Sequence, residues 1–199
     1  MKRLLFSLML LPALSFSVQA PDNLEIGASL PKAEVKMKDV SGKDVSFNDI
    51  KTKQGLLVMF SCNTCPYVVR NQTRTKEILA YAQSKGVGVV VLNSNEGSRD
   101  DGDGFADMQA YAKEQGYKWN YVVDRNNEIA DAFGANRTPE CFLFDSNNKL
   151  VYHGAIDDNP SNEQNVERQH LKEAVNETLA GKPVSTKTTR SVGCNIKRG

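Results

Sequence analysis

Two short apolar runs, LLVMF at 56–60 and VGVVVL at 87–92, constrain this chain most. Neither alternates with polar residues, so each reads as a strand buried on both faces. Between them, from Pro66 to about Lys85, Val69, Ile78, Leu79 and Ala82 fall roughly on one helical face, and Gly86 ends the run. Two buried strands joined by a helix-length crossover belong to a sheet whose first strands are parallel. A polar loop follows at 93–104 (NSNEGSRDDGDG), then a helix over about Phe105 to Gln115 and a strand at Tyr121 to Val123. A short helix is expected at Glu128 to Phe133, and Cys141 to Phe144 and Leu150 to His153 flank a hairpin turn, DSNNK. A last helix spans about Glu163 to Leu179. Upstream, apolar alternation at Val35 and Met37, and at Val45 and Phe47, brackets Ser41-Gly42-Lys43 as a small hairpin. The expected class is α/β, a three-layer sandwich with a central mixed sheet, helices on both faces and an N-terminal β-hairpin extension.

The first twenty residues read as an export signal. Lys2 and Arg3 form a basic start, Leu4 to Phe16 an apolar stretch too short for a comfortable membrane span, and Val18 and Ala20 small residues before a cut. Pro21 disfavours cleavage directly before it, which moves the expected cut to somewhere near Ser15 to Ala20. An uncleaved anchor is the alternative, and a segment without cysteine argues against a lipid anchor. The expected organisation is a signal at 1–20, one domain at 21–180 and a tail at 181–199, with a periplasmic or extracellular location. Losing Lys2 and Arg3 turns the formal charge from +1 to −1, which leaves no basic footprint for nucleic acid.

Export places the four cysteines, Cys62, Cys65, Cys141 and Cys194, where disulfides persist. Cys62-Asn63-Thr64-Cys65-Pro66 begins where the first buried strand ends and a helix begins, the edge at which open α/β sheets place their chemistry. A structural zinc needs four ligands, and His153 and His170 lie far from the pair in sequence, so no metal or cofactor is implied. A staple closing so short a loop constrains little of the unfolded chain. Redox chemistry suits the placement better. Cys62 would be the exposed nucleophile, its thiolate favoured by the helix N-terminus, and Cys65, one turn into the helix, would resolve the mixed disulfide. Pro66 is tolerated early in a helix, where its missing N–H has no bond to lose.

Further residues carry a family resemblance. CNTCPYV (62–68), VVVLNSNE (89–96), TPECFLFD (138–145), GAIDD (154–158) and GCNIK (193–197) span nearly the whole chain beyond the signal, in order. The chain resembles the redoxin (alkyl hydroperoxide reductase/thiol-specific antioxidant) branch of the thioredoxin superfamily, within a peroxiredoxin-like subgroup carrying Cys-x-x-Cys. The resemblance implies a thioredoxin-like sandwich in which the peptide before Pro139 is cis and Thr138-Pro139 packs on the cysteines, shaping a groove for a substrate chain. Two departures matter. Peroxiredoxins place a threonine where this chain has Met59, and their assisting arginine falls by register near Pro139; Arg137 is close but not equivalent. Thioredoxins carry a buried acid on the strand before the cysteines, and LLVMF has none. Glu140 is the candidate proton relay to Cys65, against the alternative of a solvated strand-edge carboxylate.

Neighbouring features weigh less. The 93–104 loop emerges on the cysteine side and fits no EF-hand, so it reads as a solvated acidic loop. Asp157 and Asp158 are expected at the same edge. A copper site would want a histidine just before the 141–144 strand, and His153 reads as a surface residue. Cys141 is expected to be a buried hydrophobe, with a redox role as the alternative. The 181–199 tail reads as a flexible extension, yet a lone cysteine in it is seldom neutral in an exported protein. The subgroup's ending implies that the tail docks back, with Cys194 reaching Cys62 or Cys141. The leading expectation is an exported thiol–disulfide oxidoreductase with Cys62 as nucleophile, Cys65 as resolving thiol and Pro139 shaping the groove. Its partners would be protein or small-molecule disulfides and thiols and an electron donor. The alternatives are a thiol-dependent peroxidase and a non-catalytic metal- or partner-binding module.

Overall fold

The computed structural model describes residues 24–199. The expected signal segment, including the cleavage region and Pro21, lies outside the described residues. In chain order the elements are β1 (Met37–Asp39), β2 (Asp44–Val45), α1 (Phe47–Ile50), β3 (Leu56–Ser61), α2 (Pro66–Arg70), α3 (Gln72–Ser84) and β4 (Gly88–Asn93). They continue with α4 (Phe105–Gln115), β5 (Asn120–Val123), α5 (Glu128–Phe133), β6 (Arg137–Thr138), β7 (Glu140–Phe144), β8 (Leu150–Gly154), α6 (His170–Leu179) and β9 (Cys194–Asn195).

Seven strands form one mixed sheet in the order β2-β1-β5-β4-β3-β7-β8. The βαβ logic holds at its centre: β3, β4 and β5 run parallel, whereas β7 lies antiparallel to β3, and β8 antiparallel to β7. Every residue of β3 and β4 is buried, as their continuous apolar runs require.

Period-two alternation divides these strands between two cores. Leu57, Met59, Val89, Val91 and Cys141 face one side, where they meet Ile78 and Leu79 of α3, Met108 of α4 and Leu171 and Val175 of α6. Leu56, Val58, Phe60, Val90 and Phe142 face the other, against Phe47 of α1 and Ile129 and Phe133 of α5. Helices thus cover both faces. Phe133 sits at the centre of the second core, its ring 5.1–5.8 Å from those of Phe47, Phe60, Phe142 and Phe144.

Local side-chain chemistry altered several boundaries. The expected Pro66–Lys85 helix is two helices meeting at Asn71, whose amide donates to the Tyr67 and Pro160 carbonyls. The bend turns Val69 outward, 57% exposed, and Val68 takes the buried place. Phe47 opens α1 and extends no strand, because Asp49 reaches back to accept the Ser46 N–H at 2.7 Å and starts a helix. The last helix starts at His170, not Glu163, because Asp158 accepts the backbone N–H groups of Glu167 and Arg168 and holds that stretch non-helical.

The C-terminal tail is no flexible extension but docks back on the domain, as the family's ending implies: His153 N–H donates to the Lys187 carbonyl, Thr189 N–H to the His153 carbonyl, and β9 pairs antiparallel with β6. Ile196 is buried in the second core. Among the described residues no helix is long and apolar enough to cross a membrane.

Because Phe133 is the hub of that aromatic cluster, Phe133→Ala should cost about 3–5 kcal/mol. Urea unfolding of the two proteins measures it, and a loss under about 1 kcal/mol would show that the cluster is not a load centre of the fold.

Candidate active site

Strand register builds the site. β3 and β7 pair with Phe60 opposite Glu140, and extending that register by two residues sets Cys62 against Thr138. The Cys62 sulfur lies 3.5 Å from the Thr138 hydroxyl oxygen, and the Cys65 sulfur is 3.4 Å from the Thr138 carbonyl oxygen. The Thr138–Pro139 peptide is cis. Thr138 is also the β6 residue opposite Cys194 in β9. Three sulfurs therefore gather around one residue.

Their pairing was not legible in sequence. Cys65 and Cys194 form a disulfide, while Cys62 and Cys141 are free thiols. Cys194 reaches the active-site edge but bonds neither expected partner, since β9 presents it to the Cys65 side of Thr138. Cys65 is the N-cap of α2, outside the helix and not one turn into it. Cys62, expected to be exposed, is 1% exposed and packs with Cys65 and Val68 beneath Tyr67 and Cys194.

The loop between the cysteines is held from below by Asp103. This fully buried carboxylate accepts the Asn63 N–H at 2.8 Å, the Thr64 hydroxyl at 3.1 Å, and the amides of Asn93 and Asn95 at 2.7 and 2.9 Å. The Tyr121 hydroxyl donates to Asn63 Oδ1 at 2.8 Å. Far from being a solvated acidic loop, the 93–104 segment buries Asn93, Ser94, Asn95, Ser98 and Asp103 as a polar platform. Sequence offered a weak signal for it: NSN directly after a buried strand, where unpaired amides must find partners.

A family model described as Redoxin matches residues 25–169. The chain belongs to the Redoxin family. Its sheet order and the cis peptide beside the cysteines are those of a thioredoxin-like fold. Two crystal structures are similar over most of this redoxin. A hypothetical protein from Sinorhizobium meliloti 1021 is 32% identical with a TM-score of 0.81, covering 89% of this chain and 97% of that one. An uncharacterized conserved protein from Geobacillus kaustophilus is 33% identical with a TM-score of 0.82, covering 88% of this chain and 93% of that one. A Thiol-disulfide oxidoreductase ResA from Geobacillus thermodenitrificans (strain NG80-2) is 24% identical over 153 residues, 74% of this chain and 82% of the relative.

Other expected residues of the redoxin fall into place differently. Glu140 is buried, not a solvated edge carboxylate: Oε2 accepts the Asn136 and Arg137 N–H groups at 2.8 and 3.0 Å, and Oε1 lies 2.7 Å from His153 Nε2. It braces the turn before the cis peptide. His153 is likewise buried, stacked on Phe142 at 4.3 Å. Arg137 is exposed and hydrogen-bonds Asn195 of the tail. Cys141 lies in the first core opposite Met59, and burial pushes its thiol far up. Asp157 is buried in an ion pair with Arg74 at 2.5 Å, and Asp158 caps the loop before α6. Among the described residues no three His, Cys, Asp or Glu side chains converge as metal ligands.

The electrostatics also differ from the expectation of a favoured thiolate. Burial pushes the Cys62 thiol up, and the charge of Asp103 adds to this. The Thr138 hydroxyl and the backbone N–H groups of Cys65 and Thr64 ease it back only in part. In this disulfide form Cys62 is a protonated thiol near neutrality.

Alkylation of Cys62 by iodoacetamide in the oxidised protein should therefore keep rising beyond about pH 8.5, the ordinary thiol range. Asp103→Asn removes a negative charge near the sulfur and should move the profile to lower pH. A profile unmoved or shifted upward would contradict this role for Asp103.

Proposed function

We propose that this redoxin is an exported thiol–disulfide oxidoreductase, with Cys62 as nucleophile and Cys65 as resolving thiol. The observation that carries the reading is a free Cys62 thiol adjoining a disulfide of Cys65, both sulfurs against Thr138 at the C-terminal edge of β3. The name of the ResA relative supports the same activity, and the basic and apolar start of the sequence supports export.

The chemistry runs by exchange. The Cys62 thiolate attacks one sulfur of a substrate disulfide, expels the other as a thiol, and forms a mixed disulfide. Cys65 then attacks the Cys62 sulfur and releases the remaining substrate thiol. Asp103 positions the loop of both cysteines, and Glu140, locked by its own hydrogen bonds, holds Thr138-Pro139 against them. On that arrangement we read Glu140 as a positioning residue, where the sequence suggested a proton relay to Cys65. Asn63 and Thr64 bring neither charge nor histidine to the cysteine loop, and weak thiolate stabilisation of that kind favours substrate reduction, because strong oxidants owe their potential to a stabilised reduced form. Met59, fully buried three residues before Cys62, offers no hydroxyl to a peroxide.

Insulin reduction with dithiothreitol as donor tests the reading. Cys62→Ser should lower the protein-dependent rate at least about 100-fold, and pre-reduced Cys65→Ser, mixed with insulin after the dithiothreitol is removed, should trap substrate on Cys62. Rapid hydrogen peroxide consumption lost in Cys62→Ser, with negligible insulin reduction, would overturn the proposal in favour of a peroxidase.

A further inference from the structure

The tail is built to deliver a third sulfur. Gly193 lies so close to the site that a Cβ there would stand 2.1 Å from the Thr138 carbonyl oxygen. Beyond Cys194, Ile196 N–H donates to the Asn136 carbonyl at 3.0 Å, and Lys197 N–H to Asn95 Oδ1 at 3.0 Å. Gly97 N–H donates to the Lys197 carbonyl at 2.9 Å, while Arg198 pairs with Asp131 at 3.0 Å. Asn95 is thus shared: its amide supports Asp103 beneath the cysteine loop, and its carbonyl oxygen receives the tail. The seat is made from the same parts that position Cys62 and Cys65.

From this we infer that Cys194 is the terminal resolving cysteine of a three-thiol relay, and that residues 193–198 dock as the relay completes, with β9 pairing on β6. The inference rests on the oxidoreductase reading and extends it by one step. After substrate release the protein holds a Cys62–Cys65 disulfide and a Cys194 thiol. The Cys194 thiolate attacks the Cys65 sulfur; the Cys65–Cys194 bond forms, the Cys62–Cys65 bond breaks, and Cys62 leaves as a thiolate that takes up a proton. Oxidation state is unchanged in this step, and the two electrons given to the substrate remain owed by Cys65 and Cys194. A dithiol donor repays them, reducing Cys65–Cys194 to two thiols while becoming a disulfide.

Docking makes the step directional. Cys194 and Tyr67 pack over Cys62, so the thiol just released is buried and does not attack back as a thiolate. β9 also takes the hydrogen-bonding edge of β6 beside the cysteines, which closes that edge to any other extended chain. The protein at rest is oxidised yet keeps its nucleophile as a shielded thiol.

The test begins with fully reduced protein, one equivalent of oxidised glutathione, an acid quench at intervals, N-ethylmaleimide and non-reduced peptide mapping. Wild type should show Cys62–Cys65 early and Cys65–Cys194 with alkylated Cys62 at the end. Cys194→Ala should stop at Cys62–Cys65, and Cys65→Ala should hold glutathione on Cys62. Gly193→Ala keeps every cysteine but obstructs the seat, so its final ratio of Cys65–Cys194 to Cys62–Cys65 should fall about tenfold. Wild type ending at Cys62–Cys65 with Cys194 alkylated would overturn the relay and leave the oxidoreductase reading standing. Cys65–Cys194 forming as fast in Cys62→Ala would also overturn it, since Cys62 would then have no part in making the bond. Glutathione never found on Cys62 in Cys65→Ala would overturn the oxidoreductase reading itself, and the relay with it.

Discussion

The pairing of β3 with β7 is the constraint on which the site depends. Phe60 lies opposite Glu140, and the same register carried to the strand end puts Cys62 beside Thr138. A one-residue slip would turn Phe60, Val58 and Phe142 out of their shared core, so aromatic packing around Phe133 holds the register. The apolar core therefore sets the distance between a thiol and the loop that shapes its surroundings. No polar interaction near the sulfur could impose that geometry alone.

Around this fixed pair the polar groups are arranged in two braces. Asp103 holds the Asn63–Thr64 loop from below, and Glu140 holds the turn at Asn136–Arg137 that leads into the cis peptide. Each is a buried carboxylate whose hydrogen bonds come from backbone N–H groups and neutral side chains, with His153 alongside Glu140. Such groups tolerate burial only when satisfied, so both braces also lock the surrounding loops. Asp103 has a second effect through its charge, which opposes ionisation of Cys62. The site's precision and the restrained ionisation of Cys62 share a cause.

Much of this was legible in the residues. LLVMF and VGVVVL could be little else than central parallel strands, because continuous apolar runs need cover on both faces, and Cys62 had to follow the first of them. The resemblance in TPECFLFD located Thr138-Pro139. Helix interruptions at Asn71 and before His170 were not legible, because they depend on where Asn71 and Asp158 find backbone partners. The burial of His153 and Glu140 was hidden for a similar reason. A single polar residue at a strand end looks the same whether solvent or a distant partner receives it.

Sequence by itself determined the α/β class, the position of Cys62 and Cys65 at a strand-to-helix edge, and the absence of a hydroxyl at Met59. The first two follow from local periodicity and spacing, which a linear text records, and the third matters through the resemblance to peroxiredoxins. Only the tertiary structure decided that Cys65 bonds Cys194, that Cys62 is sheltered, and that the polar 93–104 segment is a buried platform. Each of these joins residues far apart in the chain; Cys65 and Cys194 are 129 residues apart. Such pairings are settled by which strand edges and carbonyls remain open once the sheet has formed, and here β6 was the open edge.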